Sequence, residues 1–180
     1  MSAETDVLED AVGRLEKAEV PYMVTGSVAL SYYAQPRMTR DVDIVVELAP
    51  RDAKEVADLF SPEYYVSEEA VAQAMRDHGV FNIYHEEKLI KVDLIVRKPA
   101  EYRRHEFARR RRVRLGGLEA WVVSKEDLLL SKLVWAESSA SELQLRDVKS
   151  LLASGVDELY LREWAPKLGV EALLEKCRNG

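Results

Sequence analysis

Apolar side chains recur along this chain with two different periods, and the change of period divides it into two parts. Short β-branched and alternating runs lie between residues 22 and 123, which predicts strands. Between these runs, and throughout residues 124–180, apolar residues are spaced three or four apart, which predicts helices. We therefore expect an α/β domain over residues 1–123 and a helical subdomain over residues 124–180 that packs against it.

The first part is predicted to contain both helices and strands. Helices are predicted at about 4–18, 27–34, 50–60 and 67–78, and strands at 22–25, 41–47, 81–85, 89–96 and 120–123. The second part is predicted to contain helices at 128–137, 141–153, 157–165 and 170–177. The strands should form a small mixed β-sheet with helices packed on it.

Composition narrows the class of protein. The chain has 180 residues, of which 47% are hydrophobic and 32% are charged, as in ordinary globular proteins. The net charge of −6 gives no general attraction to nucleic acid or to an anionic membrane. A single cysteine, Cys177, excludes an internal disulfide, and the three histidines lack the spacing of a zinc site. No segment reaches the roughly 18 apolar residues of a membrane span, so we expect a cytoplasmic protein.

Two aspartates alternate on the predicted strand at 41–47. Asp41 and Asp43 point to the same face because successive side chains of a strand point to opposite faces. Neighbouring like charges need neutralisation, and a divalent cation bound by oxygens supplies it. A third carboxylate, Asp93, lies on another apolar strand. These residues predict a metal-binding cradle.

A glycine and a serine precede the aspartates, at the junction of a predicted strand and a predicted helix. Gly26 allows backbone conformations and a close approach that a side chain would block. The N–H groups at the start of the helix, beside Ser27, attract phosphate oxygens. The turn is therefore predicted to hold a triphosphate.

In this order and spacing, the motifs resemble the signature of the polymerase-β-like nucleotidyltransferase superfamily. The resemblance is closest at residues 25–30 and 37–43 and covers about the first hundred residues. It implies transfer of a nucleoside monophosphate from a nucleoside triphosphate to a hydroxyl group. In that reading, Asp41, Asp43 and Asp93 are the catalytic and metal-binding residues, and the cofactor is Mg²⁺ or, in its place, Mn²⁺.

The helical part carries a second, less specific resemblance. Residues 125–148 look like the helical part of the AbiEii-like branch, many of whose members are uncharacterised or are toxins of toxin–antitoxin pairs. The nucleotide-binding residues that the resemblance implies are Gly26, Ser27, Arg40, Lys132 and Asp147. Lys132 and Asp147 each interrupt an apolar helical stripe, so each needs a partner. They either serve the nucleotide site or form a salt bridge between two helices, and Arg40 either offsets triphosphate charge or is an ordinary surface residue.

The acceptor of the transferred group stays open at this level. Seven arginines between Arg103 and Arg114 form either a track for RNA phosphates, as in a tRNA acceptor, or a solvated helix end. A protein side chain, a small hydroxylated molecule and an antitoxin partner are further alternatives. Four aromatic residues either stack on a base or pack in the core or at its rim, namely Tyr64, Tyr65, Tyr84 and Trp121.

Two other functions compete with nucleotidyl transfer. A non-catalytic nucleotide-binding or antitoxin-like module would keep the same cradle and act through a partner protein. A metal-dependent nuclease would also use clustered carboxylates. The nuclease reading lacks a Glu-x-Lys strand beside the aspartates and leaves the glycine-serine turn unexplained.

Overall fold

A computed structural model of the protein describes residues 2–35 and 41–179. Helices and strands are interspersed up to residue 122, and only helices follow in the described residues. The elements are, in chain order, α1 (Ala3–Lys17), β1 (Tyr22–Thr25), α2 (Gly26–Tyr33), β2 (Asp41–Val46), α3 (Ala53–Asp58), β3 (Tyr64–Val66), α4 (Glu68–Asp77), β4 (Val80–His85), β5 (Ile90–Val96), α5 (Glu101–Ala108), β6 (Arg111–Leu115), β7 (Leu118–Val122), α6 (Lys125–Ser139), α7 (Glu142–Ala153), α8 (Glu158–Lys167) and α9 (Glu171–Asn179).

The described strands form one seven-stranded sheet. Its order is β3-β4-β5-β2-β1-β7-β6. β2 pairs with β5, and β1 with β7, in parallel, whereas the other neighbours are antiparallel. The predicted mixed α/β architecture is therefore confirmed, and β2 lies at the centre of the sheet between β5 and β1.

The central strand β2 divides its side chains between two environments. Val42, Ile44 and Val46 are fully buried, and full burial of such a side chain contributes about 1.5–3 kcal/mol. The alternate residues, beginning with Asp41 and Asp43, point to the other face of the sheet. The strand thus anchors one face in the core and presents its carboxylates on the opposite face.

The start of α6 is fixed by a buried carboxylate, Asp127. Its side chain accepts hydrogen bonds from Ser124 Oγ at 2.5 Å, Tyr160 Oη at 2.5 Å, Arg109 Nε at 3.1 Å and Tyr102 Oη at 3.2 Å. Charged hydrogen bonds of this kind satisfy a carboxylate that would otherwise be costly to bury. They tie α5 and α8 to α6, and the hydrophobic core continues from the sheet into these helices. The division at residues 123 and 124 stays a prediction.

Two strands and one helix were not predicted from the apolar pattern. The arginine-rich stretch folds into α5 and β6, and residues 64–66 form β3. β6 and β3 are the two edges of the sheet, where arginines and exposed tyrosine weaken the alternation that marks a half-buried strand. None of the helices in the described part of the chain has the length and apolar character of a membrane span.

Candidate active site

The three predicted carboxylates lie on one face of the sheet. β2 and β5 are parallel neighbours, and their register sets Asp43 directly opposite Asp93. Adjacent strands lie about 4.8 Å apart, so the two carboxylates project side by side. Asp41, two residues before Asp43, faces the same way. Asp93 is therefore neither distant from the other two nor turned into the core.

Burial and the neighbouring carboxylates both act on the pKa of Asp43. Burial raises the pKa of Asp43, and the negative charges of Asp93 and Asp41 raise it further. The positive charges of Lys132 and Lys91 oppose this shift without cancelling it. Asp43 thus lies where a cation would be most favourable.

Asp93 is oriented by two neighbours on β4 and β5. Lys91 Nζ lies 3.0 Å from Asp93 Oδ2, and this hydrogen bond raises the pKa of Lys91. Asn82 Nδ2 donates to Asp93 Oδ1 at 2.5 Å. Sequence reasoning missed Asn82, because its role depends on the β4–β5 register that sets it opposite Asp93. The predicted hairpin, with its alternation of faces, was the only available signal.

The close approach of Asp43 requires a glycine at position 26. It adopts a left-handed backbone with φ +63°, and a Cβ added there would lie 2.0 Å from Asp43 Oδ2. Gly26 is also the first residue of α2, so the N–H groups of the first helical turn lie beside this carboxylate. Ser27, the next residue, is buried. The turn therefore brings a helix N-terminus and the carboxylates together.

Lys132 and Asp147 form an ion pair between α6 and α7. Lys132 Nζ lies 2.7 Å from Asp147 Oδ2 and donates to Gln144 Oε1 at 3.1 Å, and the two charged side chains are only 6% and 5% exposed. Lys132 also lines a cavity that is bordered by Gly26 and Asp43. The interhelical salt bridge and a position at the site are thus compatible, since Asp147 holds the lysine that faces the cavity. Their role in nucleotide binding stays a prediction.

The cavity beside Asp43 has a volume of about 420 Å³. It lies between the sheet and α6, where Val45 and Ile95 line it from the strands and Trp135 from the helix. Its volume falls in the range typical of small-ligand sites. The cavity offers an apolar surface next to the charged residues.

A buried polar group lies in the wall of this cavity. Arg103 donates to Glu106 Oε2 at 2.8 Å and to Ser131 Oγ at 2.6 Å, and Ser131 Oγ donates to Glu106 Oε1 at 2.6 Å. Burial raises the pKa of Glu106, although the charge of Arg103 opposes it. Arg103 therefore stabilises the cavity wall through these hydrogen bonds and is not part of an outward basic surface.

Other arginines of residues 103–114 also make internal contacts. Arg109 pairs with Asp127 at 3.1 Å, and Arg112 pairs with Glu16 at 2.9 Å. The Arg110 guanidinium lies over the Phe107 ring. The stretch is therefore divided among separate sites, and RNA binding by it stays a prediction.

The carboxylates present suit a magnesium ion that is shared with substrate phosphates better than one that is held by protein side chains alone. Within residues 2–35 and 41–179, no group of three or more Asp, Glu, His or Cys side chains is arranged to hold a metal ion. Magnesium is usually held by one or two carboxylates together with substrate phosphates and water. Asp41 and Asp43 fit that shared arrangement, since a cation would relieve the repulsion at Asp43. Arg40, the predicted contact to the triphosphate, lies outside the described residues.

Solved structures of other proteins have the same fold as this chain. No protein-family model matches the sequence, and no curated protein is significantly similar to it. The solution structure of the antibiotic-resistance factor ANT(2'')-Ia superposes with a TM-score of 0.62 at 13% identity, over 97% of this chain and 90% of that one. The chain has the nucleotidyltransferase fold. A nucleotidyltransferase-like protein from Paracoccidioides brasiliensis gives a TM-score of 0.59 at 15% identity, over 98% and 92% of the two chains. The lincosamide antibiotic adenylyltransferase LnuA gives 0.55 at 16%, over 86% and 98%.

These likenesses confirm the fold predicted from the sequence. At sequence identities of 13–16%, the likeness to these structures shows the fold alone. The AbiEii-like resemblance of the helical part stays a prediction.

Proposed function

We propose that the protein transfers a nucleoside monophosphate from a nucleoside triphosphate to a hydroxyl group and releases pyrophosphate. The observation that carries this proposal is the register that sets Asp43 opposite Asp93, with Asp41 on the same face. Gly26 and the start of α2 lie against the same carboxylate. A helix N-terminus and clustered carboxylates are the two elements that phosphoryl transfer requires at one place.

The triphosphate is bound by the turn between β1 and α2. Unsatisfied N–H groups of the first turn of α2 donate to phosphate oxygens, and Gly26 keeps the approach open. Lys132, held by Asp147, supplies positive charge from α6. Asp41 and Asp43 would hold Mg²⁺, which when bound neutralises charge on the phosphates and on the leaving pyrophosphate.

Asp93 accepts the proton of the acceptor hydroxyl in this proposal. The acceptor oxygen forms a bond to the α-phosphorus, the bond from that phosphorus to the bridging oxygen breaks, and pyrophosphate leaves. Lys91 and Asn82 hold the two oxygens of Asp93 and thus orient it. A general base has to lie within hydrogen-bonding distance of the proton it takes, so this orientation matters for the rate.

A small hydroxylated molecule is the acceptor that the fold neighbours favour. ANT(2'')-Ia has been solved with adenylyl-2''-tobramycin, and LnuA with lincomycin bound. An RNA end, a protein side chain and the toxin role with an antitoxin partner rest on the sequence resemblance alone.

The test is transfer of label from nucleoside triphosphates labelled at the α-phosphate. Each triphosphate is incubated with Mg²⁺ and the protein, with tobramycin, lincomycin or total RNA as acceptor, and Asp43→Asn is the matched variant. We expect transfer with stoichiometric release of pyrophosphate from the wild type and none from the variant. Nucleotide binding is measured in parallel by calorimetry. Saturable binding without transfer to any acceptor would favour the non-catalytic module, and absence of binding would refute both functions.

A further inference from the structure

Two exposed tyrosines lie side by side on the sheet face that carries the carboxylates. Tyr65 of β3 and Tyr84 of β4 are directly opposite each other across an antiparallel pair, and they are 62% and 44% exposed. Tyrosine combines a large apolar ring with a polar end and is enriched in binding surfaces. This pair, here called the tyrosine platform, has no role in the core.

The strand register connects the tyrosine platform to the carboxylates. Tyr84 lies opposite Lys91, and Lys91 lies opposite Asp41, so these residues form one row across the sheet with Tyr65 at its end. Two strand spacings separate Tyr84 from Asp41, or about 10 Å between their Cα atoms. A ring-sized molecule lying on the tyrosines would therefore reach the carboxylates with a hydroxyl group.

The platform and the 420 Å³ cavity lie on opposite sides of the Asp43–Asp93 row. Along the strands, the cavity begins at Asp43 and continues over Val45 and Ile95, whereas the platform lies level with Asp41. Nucleotidyl transfer requires the attacking hydroxyl and the leaving pyrophosphate roughly in line on opposite sides of the phosphorus. A site that takes two substrates thus needs a second binding surface, and the platform is in the position for it.

We propose that the tyrosine platform binds the acceptor, and that the acceptor is a small molecule with a hydroxyl group and a flat ring face. An aromatic heterocycle, or the apolar face of a sugar ring, stacks on Tyr65 and Tyr84, and the hydroxyl points to Asp93. The proposal rests on the proposed function, because it assigns the second substrate of the same transfer.

The surroundings of the platform favour a small molecule over a polynucleotide. The arginine-rich strand β6 lies at the opposite edge of the sheet, five strand spacings from β4, or about 24 Å. The two lysines near the platform form ion pairs within the protein, Lys88 with Asp6 at 3.1 Å and Lys91 with Asp93 at 3.0 Å. Binding of a polynucleotide depends on cations that follow its backbone. The platform offers two rings and no such track within the described residues.

The test removes the rings and measures both substrates separately. The variants are Tyr65→Ser, Tyr84→Ser and their combination, with Tyr84→Phe to retain a ring. Leu89→Ser is the matched control, because Leu89 is an 85% exposed apolar residue at the turn of the same hairpin. We expect the double variant to raise KM for the acceptor about 10-fold or more, in line with the usual contribution of stacking. KM for the triphosphate, kcat and the circular dichroism spectrum should stay unchanged, and Tyr84→Phe and Leu89→Ser should behave as wild type.

Binding without turnover is measured by saturation-transfer NMR on the two antibiotics of the acceptor panel, tobramycin and lincomycin. This measurement separates the two proposals. Ring binding that is lost in the double variant supports the platform even if no transfer is found, in which case the proposed function fails alone. An unchanged acceptor KM in the double variant, or ring binding that does not depend on the tyrosines, overturns the platform. Tyrosine-dependent transfer to an RNA hexamer, without transfer to small molecules, overturns the small-molecule assignment.

Discussion

Replacing Gly26 by alanine tests the arrangement of the site with a single methyl group. Gly26 has φ +63°, a conformation that costs an L-residue about 1–2 kcal/mol. The added Cβ would also lie 2.0 Å from Asp43 Oδ2 and 2.9 Å from Asp43 Cβ. Rotation of the carboxylate removes only the first contact, so the β2 backbone or the turn has to move as well.

The expected effect on catalysis follows from the size of that movement. An ordinary contact between two carbon atoms is about 3.4–4 Å, so Asp43 Cβ, 2.9 Å from the added methyl group, has to retreat by about 0.5–1 Å, and a misplacement of about 1 Å can cost about 100-fold in rate. We expect Gly26→Ala to lower nucleotidyl transfer about 100-fold and the free energy of unfolding by about 2–5 kcal/mol, of which backbone strain accounts for about 1–2 kcal/mol and the clash for about 1–3 kcal/mol. Transfer of α-phosphate label and urea unfolding followed by circular dichroism measure the two effects.

Gly116→Ala is the control that separates the clash from the backbone strain. Gly116 has φ +61°, and a Cβ added there would meet no described atom within 4 Å. It should lose only the stability that the left-handed conformation costs and retain wild-type transfer. If Gly26→Ala were as active and as stable as Gly116→Ala, the close approach of Gly26 to Asp43 would be refuted as a feature of the site.

Three further variants test the charged groups. Lys132→Met should lower the free energy of unfolding by about 3–5 kcal/mol, because it removes a buried cation 2.7 Å from Asp147, and adding Asp147→Leu should restore at least half of it in urea unfolding. Asp43→Asn should raise the thermal midpoint at pH 7 without divalent ions. Burial and neighbouring carboxylates raise the folded pKa of Asp43, so wild-type stability falls as pH rises through that pKa, and the difference should vanish below pH 3.8. Glu47→Gln should show the opposite dependence. The hydrogen bond from Arg97 lowers the pKa of Glu47, so the variant should lose about 1 kcal/mol at pH 7 and nothing once pH has fallen through the folded pKa, and an equal loss at both pH values would contradict the pair.

Alternation along single strands was enough to predict which faces the carboxylates share. Asp41 and Asp43 are two residues apart, and Asp93 alternates with buried Val92 and Leu94, so each side chain could be assigned to a polar face. The pairing of one strand with another could not be read in the same way. Register depends on contacts between residues that are distant in the sequence, and for that reason the hydrogen bond from Asn82 to Asp93 was missed.

Composition was a weaker guide than periodicity for the arginine-rich stretch. A cluster of like charges in the sequence suggests a common surface, but the partner of each arginine is chosen by the tertiary structure. Arg109 neutralises Asp127, which is fully buried, and Arg103 neutralises Glu106. Buried carboxylates need such partners, so the fold distributes the cations instead of collecting them.

The parallel pairing of β2 and β5 has a consequence for how this chain can be altered. Since the two strands are neighbours in the sheet, residues 47–89 form one long connection between them. This connection contains α3, β3, α4 and β4. Deleting one residue within β2 would turn Asp43 toward the interior. Lengthening a loop of the connection would leave β5 paired with β2 in the same register. In the proposed reaction, swapping this connection between proteins of the same architecture, with Asn82 retained, should therefore change the acceptor and leave the phosphate site unaltered.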